Sequence, residues 1–563
     1  MPSARPPAQV EEIYAQGLAA LKQGDLAAAK GAFEKVVKAI PNSAEAHNSL
    51  GWVLLAEGRA DAAVAQFRIA GKLKPQLTQA HINLANALIR TGDKSGAVRS
   101  AREAVRLASD DSEARRTLAH ALDFSGEKLQ ALEEMRRAVA AELARADLHD
   151  ELGSLLVQAG DTNAAEAEFR EAIRLQPEFA DAHLHLGVLQ SQREDPTSGI
   201  AELQSAATLN PQSPAAHYYL ARVLRAQNDN ESAIRELQTA VTLQPEFADA
   251  QNLLGILLQR NGNWSQAAAC FRQVLKLQPE NADGHNNLGL TLLQAGDANG
   301  AIAEFKTAIR LRPQDAGYQA NLGAGYLQTT DFDSAIAAFR SALTISPQDA
   351  TFRYDLGLAL KLKDKLPEAV EEFRKAEELD PHQPDIHYTL GITLWQQGEF
   401  DASAEELRKA IVAKADYAEA YYTLGTVLKQ QAKLPESAQA LREAIRLQPD
   451  FAGAHTTLAA VLRQIGDNEG ATAEAKLGAE ITQQKSNEQA ALFATNSGRR
   501  LRSVGDLNGA VSQFRAAIQA AKDFAPAHFE LAIALRQMGE NQEAASEFQK
   551  AASLDPKLVA PQQ

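Results

Sequence analysis

The chain has 563 residues with a formal net charge of −15 and a pI near 5.4. Binding to nucleic-acid phosphates requires a basic stripe, which a chain this acidic is not expected to have. No nucleic-acid partner is therefore expected. The single cysteine, Cys270, excludes an internal disulfide and a thiolate metal cage, and it is interpreted as a small buried apolar residue. No apolar run approaches the ~20 residues of a membrane span, so no membrane insertion is expected.

Residues 1–9 form a short N-terminal arm that lacks the apolar core of a signal peptide. The sequence therefore predicts a cytoplasmic protein. A periplasmic or secreted location stays open, because a chain whose leader had been removed would read the same way.

A 34-residue period begins at Val10 and organises nearly all of the chain. Fourteen repeats occupy residues 10–485, five inserted residues occupy 486–490, two further repeats occupy 491–558, and a tail covers 559–563. A period of this length is typical of stacked supersecondary units rather than of a closed globular domain. We predict that the insertion lengthens a helix and marks a hinge or subdomain boundary.

Each repeat is predicted to hold two amphipathic helices. In the repeat 282–315, His285, Leu288 and Leu292 share one face of a first helix, and Phe305 lies on the apolar face of a second. The pair Gly296-Asp297 between them is typical of a helix end followed by a new N-cap.

The positions within a repeat are numbered 1 to 34. At three of these places the size of the side chain is similar in most of the sixteen repeats. The eighth place is always Gly or Ala, the twentieth is Ala in thirteen repeats, and the twenty-fourth is Phe in nine. Together with a closing Pro at the thirty-second place, this pattern resembles the tetratricopeptide repeat. The resemblance implies an all-α solenoid in which antiparallel helix pairs stack into a right-handed superhelix.

In that family the first helices of successive repeats line a concave groove that binds polypeptides, and the resemblance places positions 5, 6, 9 and 12 of each repeat in it. Aromatic residues and Arg, which dominate binding hot spots, occur there in repeats six to seven, and aromatic residues with two lysines occur there in repeats eleven to thirteen. Ordinary packing and a partner-contact patch both remain open for these side chains. The candidates are Tyr218, Tyr219, Arg222, Arg225, Tyr354, Lys361, Tyr388, Trp395, Tyr422 and Lys429.

No catalytic, cofactor or metal site is predicted. The chain contains no phosphate-binding loop, nucleophile elbow or H-E-x-x-H motif. Nine of the twelve histidines stand at the fourth place of a repeat and are interpreted as packing residues with a polar tip. The paired carboxylates Glu371-Glu372 and Glu405-Glu406 are expected to be solvated.

These observations predict a non-enzymatic scaffold that binds a protein or peptide in its groove. A second hypothesis is a substrate-recruiting arm that serves a glycosyltransferase-like enzyme, of the O-linked N-acetylglucosamine transferase type, whose catalytic domain lies outside this chain. A third is a structural spacer that binds nothing. Self-association through the ends of the solenoid is a further expectation, because terminal repeats expose the face that would bind another repeat.

Overall fold

A computed structural model describes residues 8–192 and 197–558, so most of the N-terminal arm and the whole C-terminal tail lie outside the described residues. The described residues form 31 α-helices and no strand. Two compact units divide the chain, Met1–Glu280 and Asn281–Gln563. The all-α fold of stacked helix pairs is confirmed, and the handedness of a superhelix stays an expectation from the resemblance.

The first unit contains the helix pairs of repeats one to eight. Its helices are α1 (Ala8–Lys22), α2 (Leu26–Ala39), α3 (Ala44–Ala56), α4 (Ala60–Leu73), α5 (Thr78–Thr91), α6 (Lys94–Leu107), α7 (Ser112–Ser125), α8 (Lys128–Ala141), α9 (Ala146–Gln158), α10 (Thr162–Leu175), α11 (Ala180–Ser191), α12 (Ile200–Leu209), α13 (Pro214–Ala226), α14 (Asn230–Leu243), α15 (Ala248–Arg260) and α16 (Trp264–Leu277).

The second unit contains repeats nine to sixteen. Its helices are α17 (Ala282–Gln294), α18 (Ala298–Leu311), α19 (Ala316–Gln328), α20 (Phe332–Ile345), α21 (Ala350–Leu362), α22 (Leu366–Leu379), α23 (Pro384–Gln397), α24 (Phe400–Ala413), α25 (Ala418–Gln430), α26 (Leu434–Leu447), α27 (Ala452–Ile465), α28 (Asn468–Ser503), α29 (Leu507–Ala520), α30 (Ala525–Gln537) and α31 (Asn541–Leu554).

The turn inside each repeat follows from its sequence. In repeat nine, Gly296 adopts φ 88°, a left-handed conformation that only Gly enters without strain. Asp297 then caps α18 by accepting a hydrogen bond from the backbone N–H of Gly300 at 2.9 Å. The predicted break at Gly296-Asp297 is confirmed.

The two helices of a repeat meet at the small residue of the eighth place. A Cβ built on Gly289 would lie 2.5 Å from Cε1 of Phe305, and one built on Gly153 would lie 2.5 Å from Cε1 of Phe169. Both phenylalanine rings are essentially buried. A Cβ needs a clearance of at least about 3 Å, and the phenylalanine ring leaves less than that. The close approach inferred from side-chain size is therefore confirmed.

Successive repeats are joined by a second contact, which involves the twenty-seventh place of one repeat and the third place of the next. Ala172 packs against Ala182, Ala308 against Tyr318, and Ala517 against Ala527. The two residues of each pair are ten apart in sequence. Each repeat therefore buries the second helix of its predecessor, as expected for a stacked array.

Helix α28 departs from this scheme. It runs for 36 residues without interruption, so it includes the second helix of repeat fourteen, the inserted residues 486–490 and the first helix of repeat fifteen. The insertion therefore lies inside a helix, whereas the division between the two compact units lies after Glu280. A hinge at the insertion stays a prediction.

Candidate functional site

The first helices of successive repeats lie side by side and form a continuous surface within each unit. Contacts link α3 with α5, α5 with α7 and α11 with α13 in the first unit, and α19 with α21 and α23 with α25 in the second. We call the side chains at positions 5, 6, 9 and 12 of these helices the first-helix surface. All ten predicted binding residues occupy these positions.

A hydrogen-bond ladder runs along this surface and was not predicted from the sequence. The side chain at the fifth place of one repeat bonds the side chain at the sixth place of the next, 35 residues later. The pairs include Tyr14–Ser49 at 2.9 Å, Asn48–Asn83 at 3.0 Å, Asp150–His185 at 2.8 Å, Asn286–Asn321 at 2.8 Å and Tyr354–Thr389 at 3.0 Å. Polar groups of the surface are thus used first to hold neighbouring repeats in register.

The three tyrosines of repeats eleven to thirteen are half-buried and stacked. Tyr354 packs on Phe373 with ring centroids 5.6 Å apart, Tyr388 on Tyr417 at 4.8 Å, and Tyr422 on Phe451 at 4.7 Å. Burial raises the pKa of Tyr354 and of Tyr388. The rings thus serve packing on one face and leave the other face at the surface.

Trp395 and the two lysines complete this patch. The indole Nε1 of Trp395 donates to Oε1 of Gln430 at 2.6 Å. Burial lowers the pKa of Lys361. Neither Lys361 nor Lys429 has an ion-pair partner in the part of the chain that the structure describes. Lys361 and Lys429 thus carry unpaired ammonium groups at the twelfth place of repeats eleven and thirteen, on either side of Trp395 in repeat order.

Asp355, which sequence reasoning missed, lies next to Tyr354 at the sixth place. Asp355 has no partner in the hydrogen-bond ladder, because the fifth place of the preceding repeat is Ala320, whose side chain offers no donor. Burial, and then the nearby Asp349, raise the pKa of Asp355 to about 6. The missing donor at Ala320 is the sequence signal that could have identified it.

The residues of repeats six and seven line a second patch. Arg222 lies over the rings of both Tyr218 and Tyr219, 5.8 and 5.5 Å from their centroids, while Arg225 is exposed. Tyr219 also lines a cavity of about 350 Å³ together with Val157, Val188 and His185. Burial opposes the charged form of His185, but the carboxylate of Asp150, 2.8 Å away, raises its pKa.

Another cavity, of about 450 Å³, was not predicted. It is lined by Trp52, Asn86, Arg90 and His120 at repeats two to four, and Trp52 is 46% exposed. Trp52 and Asn86 stand at the ninth place of their repeats, as Arg222 does. The rule that selected Arg222 from the sequence could therefore have selected them too.

Most histidines of the fourth place hydrogen-bond a glutamate on the second helix of their own repeat. In seven repeats Nδ1 lies 2.5–2.9 Å from a glutamate Oε2 that follows 19 residues later. In six of them Nε2 lies 2.8–3.1 Å from a backbone carbonyl six residues earlier. The pairs are His149–Glu168, His183–Glu202, His217–Glu236, His285–Glu304, His387–Glu406, His455–Glu474 and His528–Glu547. Packing is thus confirmed for the histidines, but their polar tips are paired.

The expectation that the paired carboxylates are solvated holds for Glu371 and Glu405, which are exposed, and is wrong for Glu372 and Glu406. Glu406 is 8% exposed and bonds His387, and Glu372 is ion-paired with Arg353 at 3.1 Å, so neither is simply solvated. Only Glu377, His387 and Glu406 come close enough among the described residues to suggest a metal site. Lys409 Nζ lies 2.8 Å from an oxygen of each of these glutamates and already supplies a cation there. These hydrogen bonds raise the pKa of Lys409.

The lone cysteine behaves as predicted. Cys270 is free and 8% exposed, and burial raises the pKa of its thiol to about 11. A thiol with so high a pKa is a poor nucleophile at neutral pH. No helix in the described residues is both long and apolar enough to cross a bilayer.

Comparison with protein families agrees with the geometry. A family model described as tetratricopeptide repeat matches residues 14–77, 151–214, 252–316, 388–450 and 422–484, which is just over half of the chain. The chain belongs to the tetratricopeptide repeat family. Other tetratricopeptide repeat models match residues 78–103, 191–257, 316–349, 362–398 and 525–558. No curated protein matches significantly.

Solved tetratricopeptide repeat structures resemble the chain only loosely. The Cut9–Hcn1 hetero-tetramer of the APC/C has 14% identity and a TM-score of 0.37, with 94% of this chain and 97% of that chain covered. MamA has 25% identity and a TM-score of 0.29 over 29% of this chain and 96% of its own. YrrB, a TPR protein with an unusual peptide-binding site, has 21% identity and a TM-score of 0.30 over 33% and 96%.

Proposed function

We propose that this tetratricopeptide repeat protein is a non-enzymatic scaffold that binds an acidic polypeptide segment on its first-helix surface at repeats eleven to thirteen. The observation that carries the proposal is the pair of unpaired ammonium groups of Lys361 and Lys429, which stand on either side of Trp395 in repeat order. A partner carboxylate would recover the ion pairing that the chain itself does not provide.

The patch at repeats six and seven supports the same type of binding. Arg225 is exposed, and the cavity beside Tyr219 offers room for an apolar side chain. No feature of the described residues favours the alternative of a recruiting arm for a glycosyltransferase-like enzyme, so that alternative stays a sequence-based hypothesis. Cytoplasmic localisation and self-association through the solenoid ends also stay predictions.

Selection from a random peptide library displayed on phage tests the proposal. We expect the chain to enrich acidic peptides, and we expect Lys361→Glu with Lys429→Glu to weaken their binding at least tenfold in fluorescence anisotropy. Changing the tyrosines would be less informative, because Tyr354 also bonds Thr389 and packs on Phe373. The lysine variants leave these structural contacts intact.

A matched control reverses two charges on the second helices of the same repeats. Arg374 and Arg442 are exposed on α22 and α26. We expect Arg374→Glu with Arg442→Glu to leave peptide affinity unchanged. Equal losses in both double variants would point to net charge rather than to this patch, and failure to enrich any peptide would overturn the proposal.

A further inference from the structure

The ninth place of the repeat changes character in repeats two to four. Nine of the sixteen repeats hold an aliphatic residue there, alanine included. Repeats two, three and four instead hold Trp52, Asn86 and His120, and these three side chains line the cavity of about 450 Å³ on the first-helix surface. The other residues that line this cavity are Leu55, Asn83, Ile89 and Arg90. The departure from the repeat pattern therefore coincides with a cavity.

Trp52 supplies an apolar surface in this cavity. It is 46% exposed, and its indole N–H has no hydrogen-bond partner among the described residues. Leu55 and Ile89 are partly buried hydrophobic residues that line the same cavity and extend the apolar surface beside the indole. Tryptophan is enriched among the residues that contribute most to binding energy, because its large ring buries much area at little entropic cost. The indole can therefore receive a large apolar side chain from a partner.

Arg90 supplies a positive charge beside that surface. One of its guanidinium nitrogens donates to the carbonyl oxygen of Leu55 at 3.2 Å, which places the guanidinium at the last turn of α3. Leu55 follows Trp52 by three residues, so the two are about 4.5 Å apart along the axis of α3. No carboxylate of the described residues pairs with Arg90, and none of the residues that line the cavity is acidic. Its remaining N–H groups are therefore available to a carboxylate from a partner.

The carboxylate of Glu151 approaches the cavity but is already paired. Its Oε2 lies 2.9 Å from Nε2 of His120, and Arg116 donates to the same oxygen at 2.9 Å. The charge of Glu151 is thus balanced by Arg116 and does not serve Arg90.

The side-chain amide of Asn86 is also available. The other amide of the cavity, that of Asn83, is used inside the chain, where it donates to Asn48 at 3.0 Å and accepts from Gln79 at 3.1 Å. Asn86 makes no hydrogen bond among the described residues. An amide can both donate to and accept from a peptide bond, so this group suits a polypeptide.

We propose that repeats two to four form a second polypeptide-binding site, which takes a segment with a large apolar side chain close to an acidic residue. The apolar side chain packs on Trp52, the carboxylate binds Arg90, and a peptide bond of the segment bonds Asn86. Alternate side chains of an extended segment point to the same side, so we expect one residue between the apolar and the acidic one. The site uses neither Lys361 nor Lys429, so it is independent of the function proposed for repeats eleven to thirteen.

Selection from a random peptide library displayed on phage tests this site when the full chain carries Lys361→Glu and Lys429→Glu. That background removes the charges of the other patch, so the selected peptides report on the remaining surface. We expect peptides that combine Trp, Phe, Leu or Ile with a nearby Asp or Glu. In fluorescence anisotropy, Trp52→Ala and Arg90→Glu should each weaken the binding of a selected peptide at least tenfold.

Matched controls use the same residue types on second helices. Trp264 begins α16, and Arg99 is exposed on α6 of the same repeat as Arg90. Trp264→Ala and Arg99→Glu should leave the affinity unchanged, and circular dichroism should show that all four variants are folded.

A charge exchange keeps the test independent of folding. A selected peptide whose acidic residue is replaced by Lys should bind the Arg90→Glu variant and not the chain with Arg90. The proposal is overturned if no peptide is enriched, if the enriched peptides lack an acidic residue, or if their affinity is unaffected by both Trp52→Ala and Arg90→Glu. None of these outcomes depends on whether the lysines of repeats eleven and thirteen bind a peptide.

Discussion

At the scale of single residues, the eighth and twenty-fourth places are coupled. Eight of the nine phenylalanines at the twenty-fourth place face a glycine, and the exception, Phe548 against Ala532, is also the least buried at 8% exposed. Since a Cβ at Gly289 would lie 2.5 Å from Phe305, we expect Gly289→Ala to destabilise its repeat by ~1–3 kcal/mol, partly offset by better helix propensity. Urea denaturation followed by circular dichroism measures the loss.

Two matched variants test whether this cost is steric. Gly31 lies inside α2, where an added Cβ would meet nothing within 4 Å, so Gly31→Ala should stabilise by ~0.5–1 kcal/mol. Adding Phe305→Leu to Gly289→Ala recreates the natural combination of Ala221 with Leu237 and should recover part of the loss. An absence of coupling between the two changes in repeat nine would contradict the steric explanation.

The fourth and twenty-third places are coupled by charge. A neutral imidazole has one N–H, yet His149 faces two acceptors, Glu168 Oε2 at 2.6 Å and the carbonyl of Leu143 at 3.1 Å. Each ring nitrogen of His149 therefore lies at hydrogen-bond distance from one acceptor. Repeats four and eleven hold Arg in place of His, and Arg353 donates to Glu372 and to the carbonyl of Pro347 in the same way. The fourth place therefore accepts a guanidinium as well as an imidazole.

This pairing predicts a double-mutant cycle. We expect His149→Ile alone to cost ~1–3 kcal/mol, because it leaves a partly buried carboxylate without its hydrogen-bond partner. Adding Glu168→Ala creates the combination found in repeat one, Ile13 with Ala32, and should recover at least half of that loss in a urea titration. His149→Arg should be nearly neutral. Additive losses from His149→Ile and Glu168→Ala would show that the two side chains do not interact.

Much of this residue-scale pattern was available in the sequence. Every glutamate at the twenty-third place accompanies His or Arg at the fourth, so sixteen repeats within one chain reveal the pairing by covariation. Interpreting the histidines only as packing residues missed it, because a 19-residue spacing matches no single helix face. The 35-residue ladder was missed for the same reason, since it joins different places of neighbouring repeats. Phe493 stands at the third place of repeat fifteen and is 78% exposed. This exposure could not be predicted from the sequence, because it depends on whether a turn interrupts α28.

At the scale of the helix pair, the turn at the fifteenth and sixteenth places limits stability in repeat thirteen. Ala432 adopts φ 59° at the place where eleven other repeats have Gly. Lys433 is the N-cap residue of α26, and its side chain makes no capping hydrogen bond. We expect Ala432→Gly with Lys433→Asp to stabilise by ~1–2 kcal/mol, through relief of left-handed strain and a new cap. The ion pair of Lys433 with Asp401 is long and exposed, so its loss should matter little.

The reverse change in repeat nine provides the control for this turn. Gly296→Ala with Asp297→Lys should lose a similar amount, because it removes the glycine at φ 88° and the bond to Gly300. Hydrogen exchange of α18 and α26 would locate both effects. If stability in repeat thirteen does not change, the strain at Ala432 is absorbed elsewhere in the turn.

At the scale of the whole chain, stability comes from contacts inside repeats and between neighbours, so a fragment that ends between repeats should fold. We expect residues 1–280, which match the first compact unit, to be as helical per residue as the full chain. Residues 1–263 end inside repeat eight and remove α16, whose Phe271 contacts Gly255. That fragment should lose more helicity than the 14 residues of α16 account for, because α15 loses its partner.

Far-ultraviolet circular dichroism and thermal melting of both fragments test this expectation. Equal melting of the two would show that the unit of stability is the single helix and not the repeat.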